Sequence, residues 1–71
     1  MYSLLLQDLL QDIKDDGKFP LEASKKVQIA YLNTQALRNP NIKGAIKEFK
    51  VFLDSGEDLK EELKLYKETV V

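Results

Sequence analysis

No cysteine, histidine or tryptophan occurs in the 71 residues of this chain, and there are only two prolines and three glycines. Each absence removes something definite. Without cysteine there is no disulfide framework and no thiolate nucleophile. Without histidine there is no imidazole for general acid–base work, and a zinc site would have to be built from carboxylates alone. The three glycines form no phosphate-cradling pattern. Ser3, Ser24 and Ser55 fall at expected helix caps or on a helix surface. Asp15 and Asp16 are adjacent carboxylates, but they fall in an exposed turn, with no apolar pocket to make one of them a general acid. The expectation is a protein that is not an enzyme, with no cofactor and no metal.

A long apolar run is also missing. Nothing approaches the roughly 20 residues that a membrane span needs. The opening residues carry no base, and Asp8 and Asp12 interrupt the apolar stretch that follows, which disfavours a secretory leader. With no cysteine the chain suits a reducing compartment, so a cytoplasmic protein without membrane association is expected. A strong charge of one sign is absent as well. Eleven Lys and Arg face twelve Asp and Glu, for a net charge of −1. The molecule as a whole therefore has no strong pull toward nucleic acid or anionic lipid.

The charge is unevenly placed, however. Residues 1–13 hold two acids and no base, residues 14–50 hold eight bases against four acids, and residues 51–71 hold three lysines against six acids. Hydrophobic residues at 44% and charged residues at 32% describe a folding chain, not a disordered one. The length allows a single domain, 1–71, and a domain this small buries only about 60% of its unfolded surface. Its core is thin. Close helix packing or self-association has to supply the stability that disulfides or a metal supply elsewhere.

Gly and Pro mark three breaks, at residues 15–20, 38–41 and 54–56. The four segments between them are apolar at helical spacing. Over residues 4–15, Leu5, Leu6, Leu9, Leu10 and Ile13 make one stripe, Ser3 stands at the cap, and Gly17 stands where a left-handed residue would stop the helix. Over 20–38, Pro20 opens the segment, and Asn39 and Pro40 close it. This second segment has two stripes: Ala23, Val27, Ala30, Tyr31 and Leu37 on one side, and Leu21, Ile29, Leu32 and Ala36 roughly on the other. A helix apolar on two sides is packed on two sides. Segment two is thus expected to be the central helix of the domain, or to carry an interface.

Over 42–54, with Asn41 as cap, Ile42, Ala45, Ile46, Phe49, Phe52 and Leu53 form the core stripe. Lys43, Lys47 and Lys50 run along its flank. Over 56–69, Ser55 and Asp58 are spaced as a capping box. The stripe there is narrow: Leu59, Leu63, Tyr66 and Val70. β-Branched residues are few and no alternating run occurs. The predicted fold is all-α, a compact four-helix bundle with helices at about 4–15, 20–38, 42–54 and 56–69. A three-helix core with a loosely packed C-terminal helix is the variant.

Two short strings invite a motif reading. Residues 12–23 look like a calcium-binding loop of the EF-hand type, with Asp12, Asp16, Gly17 and Phe19 at its first, fifth, sixth and eighth positions. Lys14 and Ala23 stand where that loop needs oxygen ligands, and the plainer expectation is a helix stop followed by a proline helix start. The terminal Glu68-Thr69-Val70-Val71 resembles a ligand of PDZ domains, at a length where chance matches are common.

The expected function is contact with another protein, either as a homo-oligomer or as a small regulator or inhibitor. Leu21, Ile29, Leu32 and Ala36 are the predicted partner-binding residues, with Ile29 and Leu32 leading. The alternative is a nucleic-acid-binding regulator that uses Lys43, Lys47 and Lys50.

Overall fold

A computed structural model of the chain describes residues 2–67. Among them are four α-helices: α1 (Leu4–Asp15), α2 (Lys25–Arg38), α3 (Lys43–Asp54) and α4 (Leu59–Leu63). A 3₁₀ turn at Pro40–Ile42 precedes α3, and the described residues contain no strand. The chain is all-α, as its periodicity requires.

The first helix follows its sequence closely at the entrance. Ser3 Oγ accepts the Leu6 N–H at 3.2 Å, and Leu6, Leu9, Leu10 and Ile13 are buried. Leu5 lies outside the buried stripe and is exposed. The exit differs from expectation. Gly17 does not supply a left-handed stop; the glycine with positive φ is Gly56, at 79°. Asp16 leaves the helix in an extended conformation, its N–H bonded to the carbonyls of Asp12 and Ile13. Its carboxylate then accepts the Lys18 N–H at 2.9 Å. An aspartate that bonds the backbone two residues on closes a turn without a left-handed residue.

The second helix begins at Lys25, five residues later than Pro20 suggests. Ser24 is the cap, accepting the Val27 N–H at 3.4 Å. Residues 19–23 form tight turns instead, with the Leu21 N–H on the Phe19 carbonyl (2.9 Å) and the Ala23 N–H on the Pro20 carbonyl (3.1 Å). Buried Gln28 reaches back and donates to the carbonyls of Pro20 and Leu21, each at 3.2 Å. Proline permits a helix start but does not compel one. The turn is preferred because its polar groups are satisfied and Phe19 is buried. The Phe19 ring meets Tyr31 and Phe49 edge-on, at 5.3 and 6.4 Å between ring centres.

The third helix lacks the expected Asn41 cap, since Asn41 sits within the 3₁₀ turn and Ile42 enters the helix without a side-chain cap bond. The fourth is shorter than its pattern. Asp58 caps it, accepting the N–H groups of Lys60 and Glu61 at 3.0 and 3.4 Å. Ser55 turns the other way and donates to the Val51 carbonyl at 2.8 Å, so it helps to end α3. Short as it is, α4 places Leu59 and Leu63 in the core. Val70 and the PDZ-like terminus lie outside the described residues.

The central helix is α3, not α2. It packs against both α1 and α2, and α4 packs on α1. Phe49 and Leu10 are fully enclosed. Phe52 stacks on Phe49 at 6.0 Å between ring centres, and Tyr2 meets Phe52 edge-on at 5.5 Å. An ion pair between Lys25 and Asp54 joins the start of α2 to the end of α3, so the two run antiparallel. A second, between Lys60 and Glu22, ties α4 to the turn before α2. Both pairs are exposed and add little stability. The core does most of that work, at about 1.5–3 kcal/mol for each large side chain enclosed.

Removing the Phe49 ring should cost about 3–5 kcal/mol, comparable to the whole stability of so small a domain. Phe49→Ala is therefore expected to abolish the cooperative thermal transition seen by circular dichroism. Ser24→Ala, which loses only a cap worth about 1 kcal/mol, should retain that transition at a Tm lower by about 4–8 °C.

Candidate functional site

The two stripes of α2 have opposite fates. Ile29, Leu32 and Ala36, at spacings of three and four, face α3 and belong to the hydrophobic core. Ile29 is 9% exposed, and the other two less. Their side chains are spent on the core and do not form the exposed stripe that was expected, although Ala36 also reaches the base of a groove between α2 and α3. Leu21, the fourth member, precedes the helix and lies at the core's margin, 37% exposed. It does not share a surface with the other three.

Of the other stripe, Tyr31 packs half-buried against the core and half-buried Ala23 precedes the helix, so only Val27, Ala30 and Leu37 are left outside. Val27 is 49% and Leu37 81% exposed, and Ala30 between them is exposed too. Thr34 falls on the same line, at spacings of three, four and three residues through 27, 30, 34 and 37. Its hydroxyl donates to the Ala30 carbonyl at 3.1 Å, one turn back. The hydroxyl is thereby tied to the backbone, and the residue adds little polarity to the surface. No acid occurs anywhere from Lys25 to Arg38. The outward side of α2 is thus an apolar line in a basic frame, with Lys26 and Arg38 near its ends.

Beside it, the structure brings Lys43, Lys47 and Lys50 together. They line one side of an open groove of about 510 Å³ between α2 and α3, opposite Asn33, with Ala36 and Ile46 at its base. The acids nearest in sequence are engaged elsewhere. Glu48 accepts the Ser3 hydroxyl at 2.7 Å, and Asp54 holds Lys25. The described ion pairs use Lys25, Lys60 and Lys64, so among the described residues Lys43, Lys47 and Lys50 have no carboxylate partner. Sequence spacing showed that these lysines share a flank. It could not show that Asn33 of α2 stands across from them.

A second depression, of about 450 Å³, lies between α1, the Phe19 turn and α2. Leu9, Ile13 and Leu32 form its floor, and Asp12, Asp16 and Gln35 its rim. Its carboxylates serve the fold. The Tyr31 hydroxyl donates to Asp16 at 2.5 Å, which, with partial burial, lifts the phenol above its usual range. Asp12 is also raised, first by partial burial and then by its neighbours Asp15 and Asp8. Asp12 lies on the surface of α1 and Asp16 in the turn that follows it. Among the described residues no group of three or more acids is placed to hold a metal ion. No described helix is long and apolar enough to cross a membrane.

No protein family, curated protein or solved structure matches this chain.

The raised Asp12 carboxyl has a measurable consequence. Its folded-state pKa lies above the unfolded value, so the folded chain favours the protonated form. The group's contribution to stability therefore falls as pH rises through the folded value. Asp12→Asn is expected to raise Tm by about 1–3 °C at neutral pH, a small effect because solvent screens the site. The gain should vanish in acid below the carboxylate range. A gain that persists there would mean the charge is not its cause.

Proposed function

We propose that this chain is a non-enzymatic module that binds another protein through the outward side of α2. One observation carries the reading: the apolar line of Val27, Ala30, Thr34 and Leu37 is surplus to the fold. The core is closed by the opposite side of the same helix, so nothing in the folding of one chain requires these residues to be apolar. Single exposed leucines are ordinary. Four positions in register on one helix, without a carboxylate along its length, match the way an apolar anchor line with a charged rim is built for a partner. The basic frame selects a partner surface that presents apolar side chains ringed by acids.

Duplex nucleic acid is the second reading, favoured by the three lysines without carboxylate partners. Lysine supplies affinity that is blind to sequence and falls steeply with salt. The groove offers no arginine to read guanine and no aromatic ring to stack on a base, with Asn33 its one amide. The protein-binding reading uses the lysines and the apolar line together, whereas the nucleic-acid reading leaves the apolar line without a purpose.

A photo-reactive side chain placed at position 37 should give a discrete adduct with one protein in host cells. Val27→Asp should remove that adduct and leave Tm within about 2 °C, since the site is on the surface. Equal and diffuse labelling from positions 37 and 8 would contradict the proposal.

A further inference from the structure

Resting on that protein-binding reading, we propose that the groove between α2 and α3 receives an acidic amphipathic helix of the partner. Its carboxylates would meet Lys43, Lys47 and Lys50, and an apolar side chain would rest on Ala36 and Ile46. The lysines follow one another at four and three residues, so their ammonium groups rise along about 10 Å of α3 in steps of about one turn. A second helix laid alongside carries glutamates at that same interval. The pairing needs no rearrangement, because Lys43, Lys47 and Lys50 have no carboxylate partner among the described residues, and Glu48 and Asp54 are already held by Ser3 and Lys25.

Three neighbouring cations along one side of an apolar base select an anion that is also apolar. Ala36 and Ile46 are at most 5% exposed, so the floor they show is small, and the aliphatic stems of the three lysines extend it into an apolar strip that a phosphate cannot use. A leucine projecting between two glutamate rows can use it, in the manner of an amphipathic helix in a groove. Leu37 stands one turn beyond Asn33 on α2 and is 81% exposed, so the incoming helix also covers the most exposed end of the apolar line. Single-stranded nucleic acid would instead want rings for stacking, and duplex would want forked donors. The groove has neither.

The test uses the whole chain and a synthetic helix of about eighteen residues, about 27 Å long. Its glutamates stand at intervals of four and three, with leucines along one side. Two-dimensional NMR should show amide shifts concentrated at Asn33, Ala36 and residues 43–50. Replacing all three lysines by glutamine should weaken binding at least about tenfold with Tm unchanged, as should Lys47→Glu alone. Exchanging the leucines for serine should also cost at least about tenfold. Raising salt from about 0.1 to about 0.5 M should weaken the native complex several-fold. Tighter binding of a DNA or RNA oligonucleotide than of the peptide would overturn the inference. So would shifts centred elsewhere, or no shift at millimolar peptide. If the peptide fails while the adduct at position 37 still forms, only the groove assignment falls. Loss of both removes the protein-binding reading as well.

Discussion

Phe49 is the side chain on which the other elements converge. Its ring lies between the Phe19 turn and the rest of α3, stacked on Phe52 and fully enclosed. Because α3 accepts α1 on one side and α2 on the other, each outer helix needs only one apolar side. For α1 that side is Leu6, Leu9, Leu10 and Ile13. For α2 it is Ile29, Leu32 and Ala36, with Gln28 holding the preceding turn. The central position of α3 therefore decides which stripe of α2 is core, and by elimination which stripe meets the outside.

That assignment joins packing to electrostatics. Residues 14–50 carry the basic excess, and the fold uses Lys25 internally, in its pair with Asp54. Glu48, the acid closest to the remaining lysines, is drawn toward α1 by Ser3. What stays on the outer side of α2 and α3 is three lysines in a row beside an apolar line. Neither feature stabilises an isolated chain. Like charges one turn apart on a helix oppose its formation slightly, and exposed apolar surface gains nothing from folding. These two features are what the proposed contact rests on.

Much of the architecture was legible in the sequence because it rests on local rules. Helical spacing gave the class and the spans of α1 and α3 to within a residue, and Ser3 marked its cap. The errors arose where two local signals competed. Pro20 and Ser24 both start helices, and Ser24 prevailed because Gln28 and the turn carbonyls satisfy the polar groups of residues 19–23. Gly17 and Asp16 both end helices, and the aspartate side chain closed the turn. Ser55 served α3 and left α4 to Asp58. The surface was legible only in part. The two stripes of α2 were plain, but a one-dimensional pattern cannot tell which faces inward. That choice depends on α3 standing between two helices, a tertiary fact with no signature along the chain. Phe19 was likewise invisible as core, since a ring in a turn follows no period.

The central claim is the orientation of α2, and the absence of native cysteine makes it directly measurable. Single substitutions Val27→Cys, Leu32→Cys, Ala36→Cys and Leu37→Cys can be compared by their rates of thiol labelling in the folded protein. Thiols at 27 and 37 should react nearly as fast as in the unfolded chain. Those at 32 and 36 should be slower by about a hundredfold or more, because reaction must wait for the core to open. Fast labelling at 32 and 36 with protection at 27 and 37 would reverse the helix and remove the proposed binding surface.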